Sequence, residues 1–213
     1  MITLYDYELS GNCYKLRLFL SILELAYDIV PIDFYPGREH KSAAFLALNP
    51  RGQLPVLIDG GEVLTDSQSI LVHLARTYDG SGLWYPTGDT AVLTEIEAWH
   101  DFAEQLTQTV SAARLTIAMS YPFDLEKAQA GAHTLFRRLD EHLWFAEREG
   151  QDWLCRAGHP TTADIACFPY VALSEEGGVS RQDYPAIRRW LDRVKRIKGF
   201  VPMSGVFPAG PAA

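Results

Sequence analysis

The chain has 213 residues, 47% hydrophobic, 22% charged and 12% aromatic, enough for one sizeable domain or two small ones. A net charge of -8 argues against a nucleic-acid partner, which needs basic patches, and no run approaches the roughly 18 apolar residues that would span a membrane. Three cysteines with no CxxC and no Cys/His pairing argue against a disulfide framework or a metal site; with a start that lacks signal-peptide character, they point to the cytoplasm.

The first ~80 residues alternate between short apolar runs and helical patterns. ITLY (2–5) reads as a strand. From Asn12 to Leu25 an amphipathic helix places Leu16, Phe19, Leu20 and Leu23 on one face. YDIVPID (27–33) has strand composition, with Pro31 restricting it to an edge or a strand end. Residues 39–48 read as a helix that stops before NPRG. LPVLID (54–59) and EVLT (62–65) flank Gly60–Gly61, a hairpin signal. A helix follows from Ser67 to Tyr78. The β-α-β, α, β-β-α order implies a parallel pair joined by a right-handed crossover, extended by a hairpin into a small mixed sheet.

DGSGLWYPTGD (79–89) has linker composition. Beyond it strand signals vanish, and helices are predicted over 90–120, 124–148, 162–174 and 185–197. The expected organisation is residues 1–79, a linker at 80–89, and an all-helical part over 90–213. The Gly- and Pro-rich tail from Gly199 is expected to pack as an irregular strap or to fray.

Three short stretches combine polar groups with turns. In ELSGNCYK, Ser10, Asn12 and Cys13 stand where a strand gives way to a helix. No His/Asp pair at recognisable spacing makes Ser10 a nucleophile. Its hydroxyl, or the Asn12 amide, can instead donate to a thiolate held nearby. Cys13 reads as a small core residue. In GQLPVLID, a cis Leu54–Pro55 bond would leave the Leu54 backbone open to an added extended peptide. Only about 5–6% of X–Pro bonds are cis, so local chemistry favours trans. In LTDSQSI, Asp66 and Ser67 are helix-capping residues that also suit a zwitterion, the carboxylate on free N–H groups and the ammonium on the Asp66 side chain.

Taken in this order and spacing, with FLALNPRGQLPVLIDGGEVLTDSQSILVHLARTY between them and HPTTADIACFPYV late in the chain, these stretches resemble the cytosolic glutathione transferase family. The S-G-N-x-x-K spacing is similar to its bacterial Ser- and Asn-type members, zeta- or nu-like. The resemblance covers nearly the whole chain and implies a thioredoxin-like N-terminal domain with a mixed four-stranded sheet, followed by an all-α domain. It implies no cofactor, with glutathione as co-substrate.

Carried over by position, Leu54 would pair with the cysteinyl unit, with Pro55 cis. Asp66 and Ser67 would hold the γ-glutamyl end, and Gln53, with Lys41 or His40, the glycine carboxylate. Ser10 is expected to act on the thiol, assisted by Asn12; Tyr5 and Tyr7 align poorly with the family's tyrosine position. The late stretch is similar to a helix-capping box with Thr161 as cap and Asp164 three residues on.

The resemblance also implies a homodimer and a small hydrophobic electrophile, seated on an apolar floor between the Ser10 turn and the helix carrying Trp99, His100, Phe102 and Leu106. Trp99 and Phe102 fit an interhelical core; His100 suits surface or pocket. Glutathione-dependent disulfide reduction, peroxidase activity or a non-catalytic regulator are the other functions the pattern allows.

Overall fold

β1 (Ile2–Asp6) sits inside a four-stranded sheet, and its side chains alternate between two faces. Ile2 and Leu4 enter the main core, whereas Tyr5 meets Phe45 edge-on across the other face, ring centroids 6.3 Å apart. The computed structural model describes residues 1–206. In it β2 (Tyr27–Pro31) lies parallel to β1 at one edge, reached through α1 (Gly11–Ile22). β3 (Val56–Asp59) runs antiparallel to β1, and β4 (Glu62–Leu64) antiparallel to β3, giving the order β2-β1-β3-β4. This is the expected mixed sheet, with Pro31 closing an edge strand.

Two local readings are corrected. The helix expected over 39–48 is broken at Ser42, whose extended backbone separates a 3-10 turn, Glu39–Lys41, from α2 (Ala43–Leu48). The Ser42 hydroxyl accepts from Phe45 N–H at 3.2 Å, so the serine starts a helix instead of continuing one. The Leu54–Pro55 bond is cis, as the resemblance implied and the bare X–Pro preference did not. α3 (Ser67–Tyr78) begins at its Asp66 cap, where the sequence placed it.

The rest of the described chain is helical: α4 (Thr90–Leu106), α5 (Ala112–Met119), α6 (Leu125–Arg148), α7 (Thr162–Ala172) and α8 (Pro185–Val194). The single helix expected over 90–120 is continuous but widens into a π turn at Thr107–Ser111. The Thr107 and Thr109 hydroxyls donate to the Ala103 and Gln105 carbonyls four residues back, at 3.1 and 2.8 Å. α7 and α8 end two or three residues earlier than expected.

All of α7 is buried, and it touches α1, α3, α4 and α8, joining the sheet half to the helical half. Its start is the capping box read from the sequence, with Thr161 as cap and Asp164 returning to the cap backbone. The strap expected at the tail is present in its described part: Tyr14 donates to the Val201 carbonyl at 2.7 Å, and Phe200 packs edge-on against Phe168. Residues 207–213 of that tail lie outside the described residues.

Candidate functional site

One cavity of about 1030 Å³ opens between the sheet and α4–α5. Ser10, Asn12, Lys41 and Gln53 line it, as do Leu54, Pro55, Asp66 and Ser67. The eight positions come from four separate stretches of chain, and the topology collects them. β1 and β3 are neighbours, so the turn after β1 and the bend before β3 adjoin. α3 starts from the strand paired to β3, which brings Asp66 alongside.

At the turn between β1 and α1, Ser10 caps the helix, and its Oγ accepts from Cys13 N–H at 3.2 Å. With its oxygen so used, the hydroxyl proton is left to donate elsewhere. Gly11 is required by packing: a Cβ there would stand 2.7 Å from the Tyr170 ring. Cys13 is fully buried, and burial pushes its thiol up to about 12. It is the small core residue the sequence suggested. Replacing Cys13 by alanine is therefore expected to leave the pH profile of any thiol chemistry at this site unchanged, at a stability cost of about 1 kcal/mol or more for the lost core volume; a moved profile would give Cys13 a direct role.

At the far end, Lys41 Nζ donates to the Arg51 and Gly52 carbonyls at 3.3 and 3.1 Å. Gly52 sits at φ 58°, with space for no Cβ beside that ammonium and the His40 carbonyl. His40 is buried and stacks on Phe34 at 4.1 Å. Of the two basic alternatives, Lys41 is thus the one with a solvent-facing charge. Gln53 is exposed, and Leu54 lies just ahead of the β1–β3 ladder, whose last pair is Tyr5 with Val56. Asp66 both caps α3, accepting from Ser69 N–H at 2.8 Å, and faces the cavity. Capping and binding are compatible because a carboxylate has two oxygens.

The wall opposite is more polar than the apolar floor expected. Trp99 packs edge-on against Phe102 and His142, and Leu106 is buried; all three of Trp99, Phe102 and Leu106 belong to the interhelical core. What α4 turns to the cavity is its other face: Glu97, His100, Asp101 and Glu104. Burial pulls the His100 imidazole down to about 4, so it is neutral near pH 7. Apolar surface comes instead from Leu9, Phe34, Leu115 and Met119.

Three residues had no assigned role in the sequence. Tyr7 lines the cavity beside Phe34, and burial raises its phenol, keeping it a donor. Arg114 pairs with Glu176 and donates to the Leu9 carbonyl at 2.6 Å, tying the loop before Ser10 to α5. Lys15 is fully buried behind the cavity. In the sequence Lys15 is only the last position of S-G-N-x-x-K and Tyr7 aligns poorly with a tyrosine position; neither pattern marks a role, and Arg114 carries no signal.

The profile of the family described as glutathione S-transferase, N-terminal domain, matches residues 4–82. Glutathione S-transferase GstB of Escherichia coli K12 is 31% identical over 209 residues, covering 91% of this chain and 93% of its own. Disulfide-bond oxidoreductase YfcG of the same organism is 27% identical, covering 92% and 90%. Among solved structures, a glutathione S-transferase from Pseudomonas fluorescens Pf-5 superposes with a TM-score of 0.84 at 28% identity, covering 95% of this chain and 98% of that one.

Proposed function

The chain belongs to the glutathione transferase family, and from that premise we propose that it holds glutathione along the groove from Lys41 to Asp66 and Ser67, with the sulfur turned to Ser10, and transfers it, as a thiolate, to an electrophile seated against α4 and α5. The observation that carries this reading is the convergence of eight positions from four stretches of chain on one cavity. Lys41 and Gln53 meet the glycine carboxylate. Leu54 offers its backbone to the cysteinyl unit, and Ser67 with the start of α3 takes the γ-glutamyl carboxylate while Asp66 takes its ammonium. Ser10, assisted by Asn12, donates to the sulfur. Fixing the nucleophile this way removes much of the entropic cost of the encounter. The electrophile has an apolar body, for Leu115 and Met119, and a polar edge, for the outer wall of α4.

Binding is tested by calorimetry with glutathione, and turnover by a panel of halogenated aromatics, epoxides, peroxides and small disulfides. Asp66→Ala is expected to weaken glutathione binding about tenfold, since one charge-assisted contact is worth about 1.5–3 kcal/mol and part is recovered by solvent. Losing the cap should also cost about 1 kcal/mol of stability. Unchanged affinity in a folded Asp66→Ala variant would remove the γ-glutamyl assignment.

Similarity to a disulfide-bond oxidoreductase supports glutathione-dependent disulfide reduction as a second activity of the same groove. Cys13 and Cys155 are buried thiols pushed up to about 12, and burial also raises the Cys167 thiol, so no described protein thiol is poised to attack. Both sulfur steps would fall to glutathione. The first thiolate breaks the disulfide and releases one thiolate, and a second glutathione releases the other as glutathione disulfide forms. The protein is further proposed to be a cytoplasmic homodimer with a detoxifying role, divided at a linker over 80–89; sedimentation tests the dimer.

A further inference from the structure

Lys15 lies on α1 with none of its surface exposed. Among the described residues, Nζ donates to Asn12 Oδ1 and to Ser67 Oγ, each at 3.1 Å. Neither acceptor is charged, and a buried ammonium held only by neutral oxygens is a costly arrangement that a purely structural site has little reason to keep. The two acceptors come from two parts of the site, Asn12 from the β1–α1 turn beside Ser10 and Ser67 from the start of α3.

We propose that Lys15 is the positioning residue of this groove: one buried ammonium sets the orientation of the Asn12 amide and the Ser67 hydroxyl as donors, and its charge is matched by the thiolate and carboxylate that the tripeptide brings. The inference rests on the glutathione reading above and goes beyond it in naming what orients the donors.

The orientation follows from hydrogen-bond chemistry. An ammonium only donates, so the amide atom facing it must be the oxygen; the Asn12 NH2 is then the end left for the cavity that Asn12 lines. In the same way Ser67 Oγ accepts from Lys15, so its proton must go to another acceptor. Here it goes to Gln68 Oε1, and a ligand carboxylate would compete for it. A neutral or missing side chain at position 15 would leave the Asn12 amide free to turn and Ser67 free to donate inward.

The titratable groups facing Lys15 come from every element around it: Asp66 at the start of α3, Glu104 and His100 on α4, Cys167 on α7 and Cys13 on its own helix. Burial lowers the ammonium to about 8, and the two carboxylates act against that. His100 is neutral near pH 7, and the buried thiols stay protonated. Near pH 7 the lysine is therefore mostly charged, and anions arriving in the groove hold it so. The sign for the ligand is the reverse: a fixed cation nearby lowers the pKa of the bound thiol, and removing it raises that pKa.

The test titrates the thiol of glutathione bound to the wild type and to Lys15→Met, which keeps the length and apolar stem, by ultraviolet thiolate absorbance without any electrophile. Lys15→Met is expected to move the titration midpoint up by one pH unit or more. It should weaken glutathione about tenfold near pH 7, and S-methylglutathione, which has no thiol to ionise, by less. Lys15→Gln, a neutral donor of shorter reach and a second route should Lys15→Met misfold, is expected to fall between. A lysine serving the fold alone would lower Tm and leave the midpoint where it was; that result in a folded variant overturns the proposal. A wild type that binds no glutathione at all overturns the glutathione reading itself and is recognised before any variant is made.

Discussion

Ser10→Ala is expected to lower kcat/KM about 5- to 50-fold at pH 6.5, with the loss shrinking steadily toward pH 9. The size comes from one interaction. The Ser10 oxygen is occupied as the cap of α1, accepting from Cys13 N–H, so its proton is available to an anion in the cavity. A hydrogen bond to a charged group contributes about 1.5–3 kcal/mol, which is about one to two pKa units for the bound thiol. If the bound thiol titrates near 6.5 in the wild type, against about 8.5 for a free one, the variant holds mostly thiol at pH 6.5. Above pH 9 sulfur ionises without help, and the two enzymes converge. Asn12 keeps the loss from being complete. The cap itself costs about 1 kcal/mol of stability, which Ser10→Thr should largely restore along with the hydroxyl. The measurement is a pH profile of kcat/KM with any electrophile the wild type turns over. A loss of equal size at every pH would assign Ser10 to the fold alone.

That prediction was available from the sequence because its residues lie close together in the chain; others became visible only in three dimensions. α3 could be placed from Ser67 to Tyr78 because an Asp cap precedes a clear apolar stripe. The capping box of α7 was legible for the same reason, being complete within four residues. The break at Ser42 and the π turn at Thr107–Ser111 were not. The first depends on which of two competing hydrogen bonds a short hydroxyl makes. The second has no local signal, since Thr94, Thr116 and Thr134 make the same bond four residues back within ordinary α-helix. The apolar floor failed on a different ground. Trp99 and Phe102 fit the core in the sequence as they do in the structure, but the polar face of an amphipathic helix looks the same whether it meets bulk water or a cavity. Lys15 was hidden most thoroughly. A lysine in a helix is ordinarily solvated, and its burial is created by α3, α4 and α7, which join the fold 52 or more residues later.

The largest effect on stability is expected at Asp164, away from the cavity. Its carboxylate is fully buried and accepts from Thr161 N–H at 3.0 Å, Leu154 N–H at 3.1 Å and Trp190 Nε1–H at 2.9 Å. It therefore joins the start of α7 to the loop before it and to the buried indole of α8. Asp164→Ala strands three donors where water has no access, at about 1–3 kcal/mol each if they were independent. Shared relaxation makes the sum smaller, and about 4–5 kcal/mol is expected, near the upper limit for single substitutions. For a chain of this size that is a fall in Tm of about 10–15 °C. Thr161→Ala removes the hydroxyl that accepts from Ala163 N–H, at 3.3 Å, and donates weakly to Cys155 Sγ, at 3.6 Å, and should cost about 1 kcal/mol. The contrast separates a cap from a junction, because both residues belong to the same box but only Asp164 reaches α8. Urea unfolding of the two variants decides it. Equal, small losses would mean that the indole and the loop find other partners, and that α7 is held in place by its apolar surface alone.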